Sequence, residues 1–451
     1  MDRIIGLGDG TLHGLAHHSS LVAADRVAVR IGAEQVTHSE LDAMAARFGG
    51  ICSEGDRVVL AAPVSLRWIG AYLGVLRAGG VIVPANPAYT KSELDDLIAA
   101  AEPSLVLTAI EEPEGDPEPW VERGEADSVA VLAFTSGTTG KPKGVPLTHR
   151  NLLTSIRGAM QVWRWSSEEI LIHALPLFHQ HGLGGLHATL IAGSSLHLLP
   201  RFDPEELLRE IDASGATVLF AVPTMYQRLA GSSHNSLRLC VSGSAPLSPA
   251  VAAHAEEVLG QAPLVRYGTT ESGLDTSQPL TERNARTVGL PLPGVQLRLG
   301  DENEIQLRGP QVFSGYWRDD AATAAAFTDD GWFRTGDVGR IDSGSGHLII
   351  DGRIKDMIIT GGMKVYPREV ELALEGHPDV AEAAVAGVPS ERWGEQVTGW
   401  VVMRPGSSFD AAAILEHAGA QLAPYKRPKE LRRVDALPRN HVGKIDRRQL
   451  R

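Results

Sequence analysis

The chain has 451 residues, which at roughly 150 residues per domain leaves room for about three folding units. Hydrophobic residues make up 43% and charged residues 22%, a globular composition that excludes a disordered chain. The net charge of −13 argues against a general nucleic-acid binder, and two cysteines, Cys52 and Cys240, are too few for a disulfide framework or a Cys-rich metal site. No run of 18 uninterrupted apolar residues occurs, and the start has no apolar core behind a basic flank. The expectation is a reduced, cytoplasmic protein without a membrane span.

In chain order, Arg57 to Ala62 reads as a buried strand, Leu66 to Ala78 as an amphipathic helix and Gly80 to Pro84 as the next strand. Strand–helix–strand at this spacing predicts a parallel, doubly wound α/β sheet. The Pro- and acid-rich segment 111–119 reads as an exposed connection. The rhythm returns in four further strands, Glu168 to Leu175, Ser194 to Leu199, Ala216 to Val222 and Leu237 to Val241. From about Val288 to Ile350 shorter strands with Gly, Pro and Asp turns predict a small β-rich, barrel-like unit. Residues 353–451 carry 16 basic against 13 acidic side chains, whereas residues 1–352 are strongly acidic. A lid that meets an anionic ligand and chance variation of surface charge both account for that contrast.

The segment Phe134 to Gly144, FTSGTTGKPKG, is biased toward phosphate binding. Its glycines open backbone N–H groups to an anion, Thr135, Ser136, Thr138 and Thr139 add hydroxyl donors, and Lys141 and Lys143 add charge. The P-loop spacing cannot be laid onto it. Thr148 is placed to cap a helix beginning near Asn151. Five histidines between His173 and His197 suggest zinc, but no Cys or H-E-x-x-H motif accompanies them. No G-x-S-x-G elbow is present, so a serine hydrolase is unsupported.

Five motifs, in order over residues 134–448, are similar to those of the adenylate-forming superfamily of acyl-CoA synthetases, adenylation domains and luciferases. They are FTSGTTGKPKG, RYGTTE at Arg266 to Glu271, TGD at Thr335 to Asp337, the segment Asp351 to Glu371, and PRNHVGKIDRR near the end. The resemblance implies a large N-terminal domain (1–352) holding the ATP and acid sites, followed by a small α+β lid (353–451). It implies that the loop Thr135, Ser136, Gly137, Thr138, Thr139, Gly140, Lys141 and Lys143 holds the β- and γ-phosphates. Thr270 would face the α-phosphate, and Glu271 would help hold Mg²⁺. Asp337 and Arg353 would bind the ribose, while Ser244, Ala245, Pro246, Tyr267 and Gly268 would bind the adenine side. Lys444 would stabilise charge during adenylation. Lys355 would be the hinge, and Gly361 and Gly362 would line the path of the pantetheine arm.

The segments PLFHQHGL, AVPTMYQR and VSGSAPL match those lining the acid pocket in malonyl-CoA synthetases. His179, Gln180, Arg228, Ser242 and Thr269 would border the acid, with the Arg228 guanidinium suited to a second carboxylate. Arg228 as an outward-facing helix residue remains the competing reading. Thr269 stands where those enzymes tend to have methionine, and Gln180 separates the two histidines of the pocket motif. The expected activity is AMP-forming ligation of a small dicarboxylic acid, malonate or methylmalonate, to CoA. The alternatives are another short-chain, medium-chain or aryl acid, or a free-standing adenylation enzyme serving a carrier protein. The expected partners are the acid, ATP and CoA, with neither nucleic acid nor membrane.

Overall fold

The computed structural model describes residues 7–114, 116–117, 119–136, 142–231, 236–439 and 445–450. The apolar runs become strands because each is buried on both faces: Val58, Val59 and Leu60 are fully covered, as are Val218 and Leu219. One five-stranded sheet has the order Leu105–Leu107, Arg57–Leu60, Val81–Pro84, Val129–Ser136 and Pro142–Thr148. Its first four strands run parallel and the last is antiparallel. The helix Leu66–Arg77 connects two of them, capped by the Ser65 hydroxyl.

A nine-stranded sheet carries the second rhythm. At its centre lie Leu264–Tyr267, Leu239–Ser242, Val218–Ala221, Ile170–His173, Ser195–Leu198 and Val27–Ile31, paired in parallel in that order. The carboxyl ends of these strands therefore share one edge, where open α/β sheets place their ligands. Helix His149–Val162 crosses between the two sheets, its Thr148 cap forming a reciprocal box with Asn151. It begins two residues earlier than the sequence suggests, because Asn151 is the capping partner rather than the first helical residue. One large core fills the space between the layers and includes Trp68, Tyr72 and Trp163. Each such side chain contributes on the order of 2–3 kcal/mol by leaving water.

The β-rich unit is a four-stranded antiparallel sheet of Gln296–Leu299, Glu304–Arg308, Phe333–Ile341 and Leu348–Arg353. Beyond it, a separate five-stranded sheet is built from Ile358–Thr360, Met363–Val365, Val380–Ser390, Gly394–Met403 and Glu430–Arg433, with helices Pro367–Glu375 and Ala411–Gly419. That is the small α+β lid the sequence suggests. Among the described residues no helix is long and apolar enough to cross a membrane.

Candidate active site

Thr135 and Lys143 pair across the antiparallel strands that flank the Gly/Thr loop. Residues 137–141 (Gly137, Thr138, Thr139, Gly140 and Lys141), the side chain of Ser136, and Lys444 lie outside what the structure describes. What surrounds the loop is informative. The Lys143 ammonium sits 5.0 Å above the ring of Tyr316, whose hydroxyl donates to Glu271 Oε1 at 2.9 Å. The phenol is pushed upward by burial and by the adjoining Glu271 carboxylate, so it stays a donor. One Glu271 oxygen is thus fixed through Tyr316 on the side of Lys143. A single carboxylate so placed suits a cation whose other ligands are phosphate oxygens and water. Among the described residues no three His, Cys, Asp or Glu side chains could hold a metal by themselves.

A second constellation joins the nine-stranded and four-stranded sheets. Asp337 and Arg353 face each other across adjacent strands, and Arg353 Nε lies 2.8 Å from Asp337 Oδ1. Tyr267 donates its hydroxyl to Asp337 Oδ2 at 2.7 Å. Burial and the neighbouring carboxylate hold the Tyr267 phenol far above its ordinary range, so the hydrogen bond keeps its direction. Asp337 in turn holds the Arg353 guanidinium in its charged form. After Tyr267 the chain folds back so tightly that any side chain at Gly268 would collide with the Gly273 carbonyl, 1.8 Å from an ideal Cβ. Thr269, Thr270 and Glu271 occupy that turn, which the Gly273 N–H closes onto the Thr269 carbonyl. Across from it Ser244, followed by Ala245 and Pro246, has a φ of +69°, an uncommon conformation for a residue other than glycine.

The third group lies at the floor. Helix Gln180–Ala192 starts at His179, and its second residue, His181, is buried with Nδ1 3.4 Å from the Ser244 hydroxyl. His181 Nε2, Ser242 Oγ and Arg266 Nε are all buried and find no hydrogen-bond partner among the described residues. Arg266 is only 8% exposed, and the missing side chain of Gly243 makes room for it: an ideal Cβ there would lie 2.4 Å from Nε. Burial lowers the Arg266 guanidinium to about 10, and burial together with the Arg266 charge keeps His181 neutral. A cavity of about 20 Å³ opens here, lined by Gln180, Arg266, Gly184, His187 and Leu274 among others. Next to its lining residues Gly273 and Leu274 runs a hydrogen-bonded chain, Thr269 Oγ1 to Ser272 Oγ at 2.9 Å and Ser272 Oγ to Asp275 Oδ2 at 2.5 Å.

The sequence reading had Arg228 at the acid. The structure makes it the exposed capping residue just after the short helix Pro223–Gln227, its guanidinium 5.0 Å above the Phe202 ring. Tyr226 takes the buried position on that helix, donating to the Val241 carbonyl at 2.9 Å. Arg266 is the buried cation, and the sequence reading missed it. The available signal was a charged residue inside an otherwise apolar parallel strand, Leu264–Tyr267, at the sheet's carboxyl edge. Lys355 sits exposed in the 3-10 turn Ile354–Asp356 that links the four-stranded sheet to the lid sheet. Gly361 and Gly362, with φ of +57° and +78°, form the tip of the first lid hairpin.

The model of the AMP-binding enzyme family matches residues 17–122 and 108–317, and that of the AMP-binding enzyme C-terminal domain matches residues 369–444. The chain is 35% identical to the human mitochondrial malonate–CoA ligase ACSF3, over 89% of this chain and 75% of that enzyme. It is 34% identical to a 3-[(3aS,4S,7aS)-7a-methyl-1,5-dioxo-octahydro-1H-inden-4-yl]propanoyl:CoA ligase of Mycobacterium tuberculosis, over 98% and 97% respectively. The crystal structure of ATP-bound MatB from Rhodopseudomonas palustris superposes with a TM-score of 0.90 at 37% identity, covering 98% of each chain. With both family models in chain order and relatives of this similarity along nearly its whole length, the chain belongs to the AMP-binding enzyme family.

Proposed function

We propose that this protein is an AMP-forming malonyl-CoA synthetase. The observation that carries the substrate is Arg266, a charged guanidinium buried at the floor of a small cavity with Nε unpaired among the described residues. A buried guanidinium N–H without an acceptor is costly, and a distal carboxylate of the substrate supplies one. Ser244 and His181 stand beside it as further polar contacts. The lining of this small cavity mixes apolar side chains with Gln180, His187 and Arg266, a set that suits a short polar acid better than a long acyl chain.

In the first step an oxygen of the reactive carboxylate attacks the α-phosphorus of ATP, and pyrophosphate leaves. The residues of the Thr135–Lys143 loop hold the β- and γ-phosphates, and Thr270 faces the α-phosphate. Glu271, oriented by Tyr316, would be the protein ligand for the magnesium ion carried by ATP, which would supply neutralisation of phosphate charge. Asp337, with Tyr267 and Arg353 on its two oxygens, receives the ribose hydroxyls. Lys444 stabilises charge on the attacking carboxylate and the α-phosphate. In the second step the CoA thiolate attacks the acyl carbonyl, a new C–S bond forms, and AMP leaves with the bonding pair. Between the steps the lid, residues 353–451, turns about Lys355 and brings Gly361 and Gly362 to the pantetheine arm. The relatives named for malonate–CoA ligation and the likeness to MatB support this reading. We place the protein in the cytoplasm, consistent with two free cysteines.

Acid-dependent exchange of labelled pyrophosphate into ATP tests the first step. Malonate or methylmalonate should drive it far better than acetate, octanoate or benzoate. Exchange driven chiefly by octanoate or benzoate would overturn the substrate.

A further inference from the structure

Asp275 is fully buried just behind the acid cavity, in the segment that follows the Thr269–Glu271 turn. Its side chain is tied on both oxygens: Ser272 Oγ donates to Oδ2 at 2.5 Å, and Gln311 Nε2 approaches Oδ1 at 3.3 Å. Its backbone is fixed too, its N–H donating to the Tyr267 carbonyl and its carbonyl accepting from the Leu292 N–H. Two routes lead from it toward the site. One is the hydroxyl chain through Ser272 to Thr269, in the turn that carries Glu271. The other is electrostatic, because the Asp275 charge and the buried Arg266 guanidinium act on each other.

Resting on the dicarboxylate reading above, we propose that Asp275 is a positioning residue that sets the charge of the acid pocket, and thereby its preference for a dicarboxylate over a monocarboxylate. With Asp275 neutral, the pocket offers the full Arg266 charge to a second carboxylate. With Asp275 ionised, part of that charge is already answered from behind. The groups facing Asp275 are Arg266 and Tyr267 on strand Leu264–Tyr267, Asp337 on strand Phe333–Ile341, and the neutral Ser272 and Gln311. The Tyr267 phenol is held far above its ordinary range, and Arg266 remains charged below about 10. Burial, opposed by the Ser272 and Gln311 hydrogen bonds, raises Asp275 to about 7. The pocket charge therefore changes in the working pH range.

The test is the ratio of kcat/KM for malonate to kcat/KM for propionate, read as pyrophosphate release between pH 6.5 and 8.5. A ratio cancels effects on ATP and on the lid. In the native enzyme it should fall by up to about tenfold across that range, the size expected when one unit charge appears in a partly solvated site. Asp275→Asn keeps the side-chain shape and an oxygen for Gln311 while removing the charge, so its ratio should stay flat and match the native low-pH value. A flat native ratio overturns the proposal even if Asp275→Asn fails to fold. So does an Asp275→Asn enzyme that retains the native pH profile. A native enzyme that turns over neither malonate nor methylmalonate at any pH instead refutes the dicarboxylate reading itself.

Discussion

Replacing Arg266 with methionine separates what this residue does for binding from what it does for folding. Burial brings its guanidinium well below its ordinary range, down to about 10, a figure that already includes the favourable pull of Asp275. Holding the charge in the folded state thus costs about 3 kcal/mol, since each tenfold change in proton affinity is about 1.4 kcal/mol. At neutral pH the residue is charged in both folded and unfolded chains, so the full cost is present. An apolar side chain of similar length removes it, and the free Arg266→Met enzyme should melt a few degrees higher than the native one. Activity should move the other way. Loss of one partner of a buried charge pair costs roughly 2–5 kcal/mol, so kcat/KM for malonate should drop by about 30-fold or more. Propionate, which has no second carboxylate, should be affected far less. Differential scanning calorimetry of the free protein and steady-state kinetics with both acids measure the two halves. A variant that melts several degrees lower, with both acids impaired equally, would show Arg266 to be a structural cation and refute the reasoning.

Three further outcomes follow from the same geometry. Tyr267→Phe removes the donor to Asp337 Oδ2 while Arg353 remains, so KM for ATP should rise about tenfold, corresponding to roughly 1–2 kcal/mol, with KM for the acid little changed in initial-rate assays. Lys444→Ala should slow pyrophosphate release by about 10²-fold or more, yet leave thioester formation from added malonyl-adenylate within a few-fold, as rapid-quench measurements would show. Asp275 binds its proton more tightly folded than unfolded, so stability should fall as pH rises from about 4 to about 7, by up to about 4 kcal/mol. Asp275→Asn should lack that decline in urea titrations taken at pH 5 and pH 8.

Much of the fold was legible because its central strands are short apolar runs between turn residues. Ile170–His173 and Val218–Ala221 lie inside the segments that pattern marks, and Leu239–Ser242 runs one residue past its segment. The same holds for Thr148, whose role as a helix cap is a local matter of one hydroxyl and one backbone amide. Strand order was not legible. Val27–Ile31 pairs with Ser195–Leu198 across more than 160 residues, and nothing in either segment names the other. Tyr267, Glu271 and Asp337 could be singled out as candidates because they sit in contiguous motifs. The bonds that make them a site, Tyr267 to Asp337 and Tyr316 to Glu271, span 70 and 45 residues and exist only after folding. The acid pocket shows the limit most plainly. Arg228 and Arg266 are both arginines near matching segments, and only the packing of Tyr226 and Gly243 decides which guanidinium is buried.

The most direct test of the central claim is CoA-thioester formation, with ATP and Mg²⁺, from malonate, methylmalonate, succinate, acetate, octanoate and benzoate. The account predicts malonyl- or methylmalonyl-CoA as the main product, with little from the monoacids, and loss of that preference in Arg266→Met. Equal or better product from octanoate or benzoate would contradict it, as would malonate-driven release of pyrophosphate with no thioester formed on CoA.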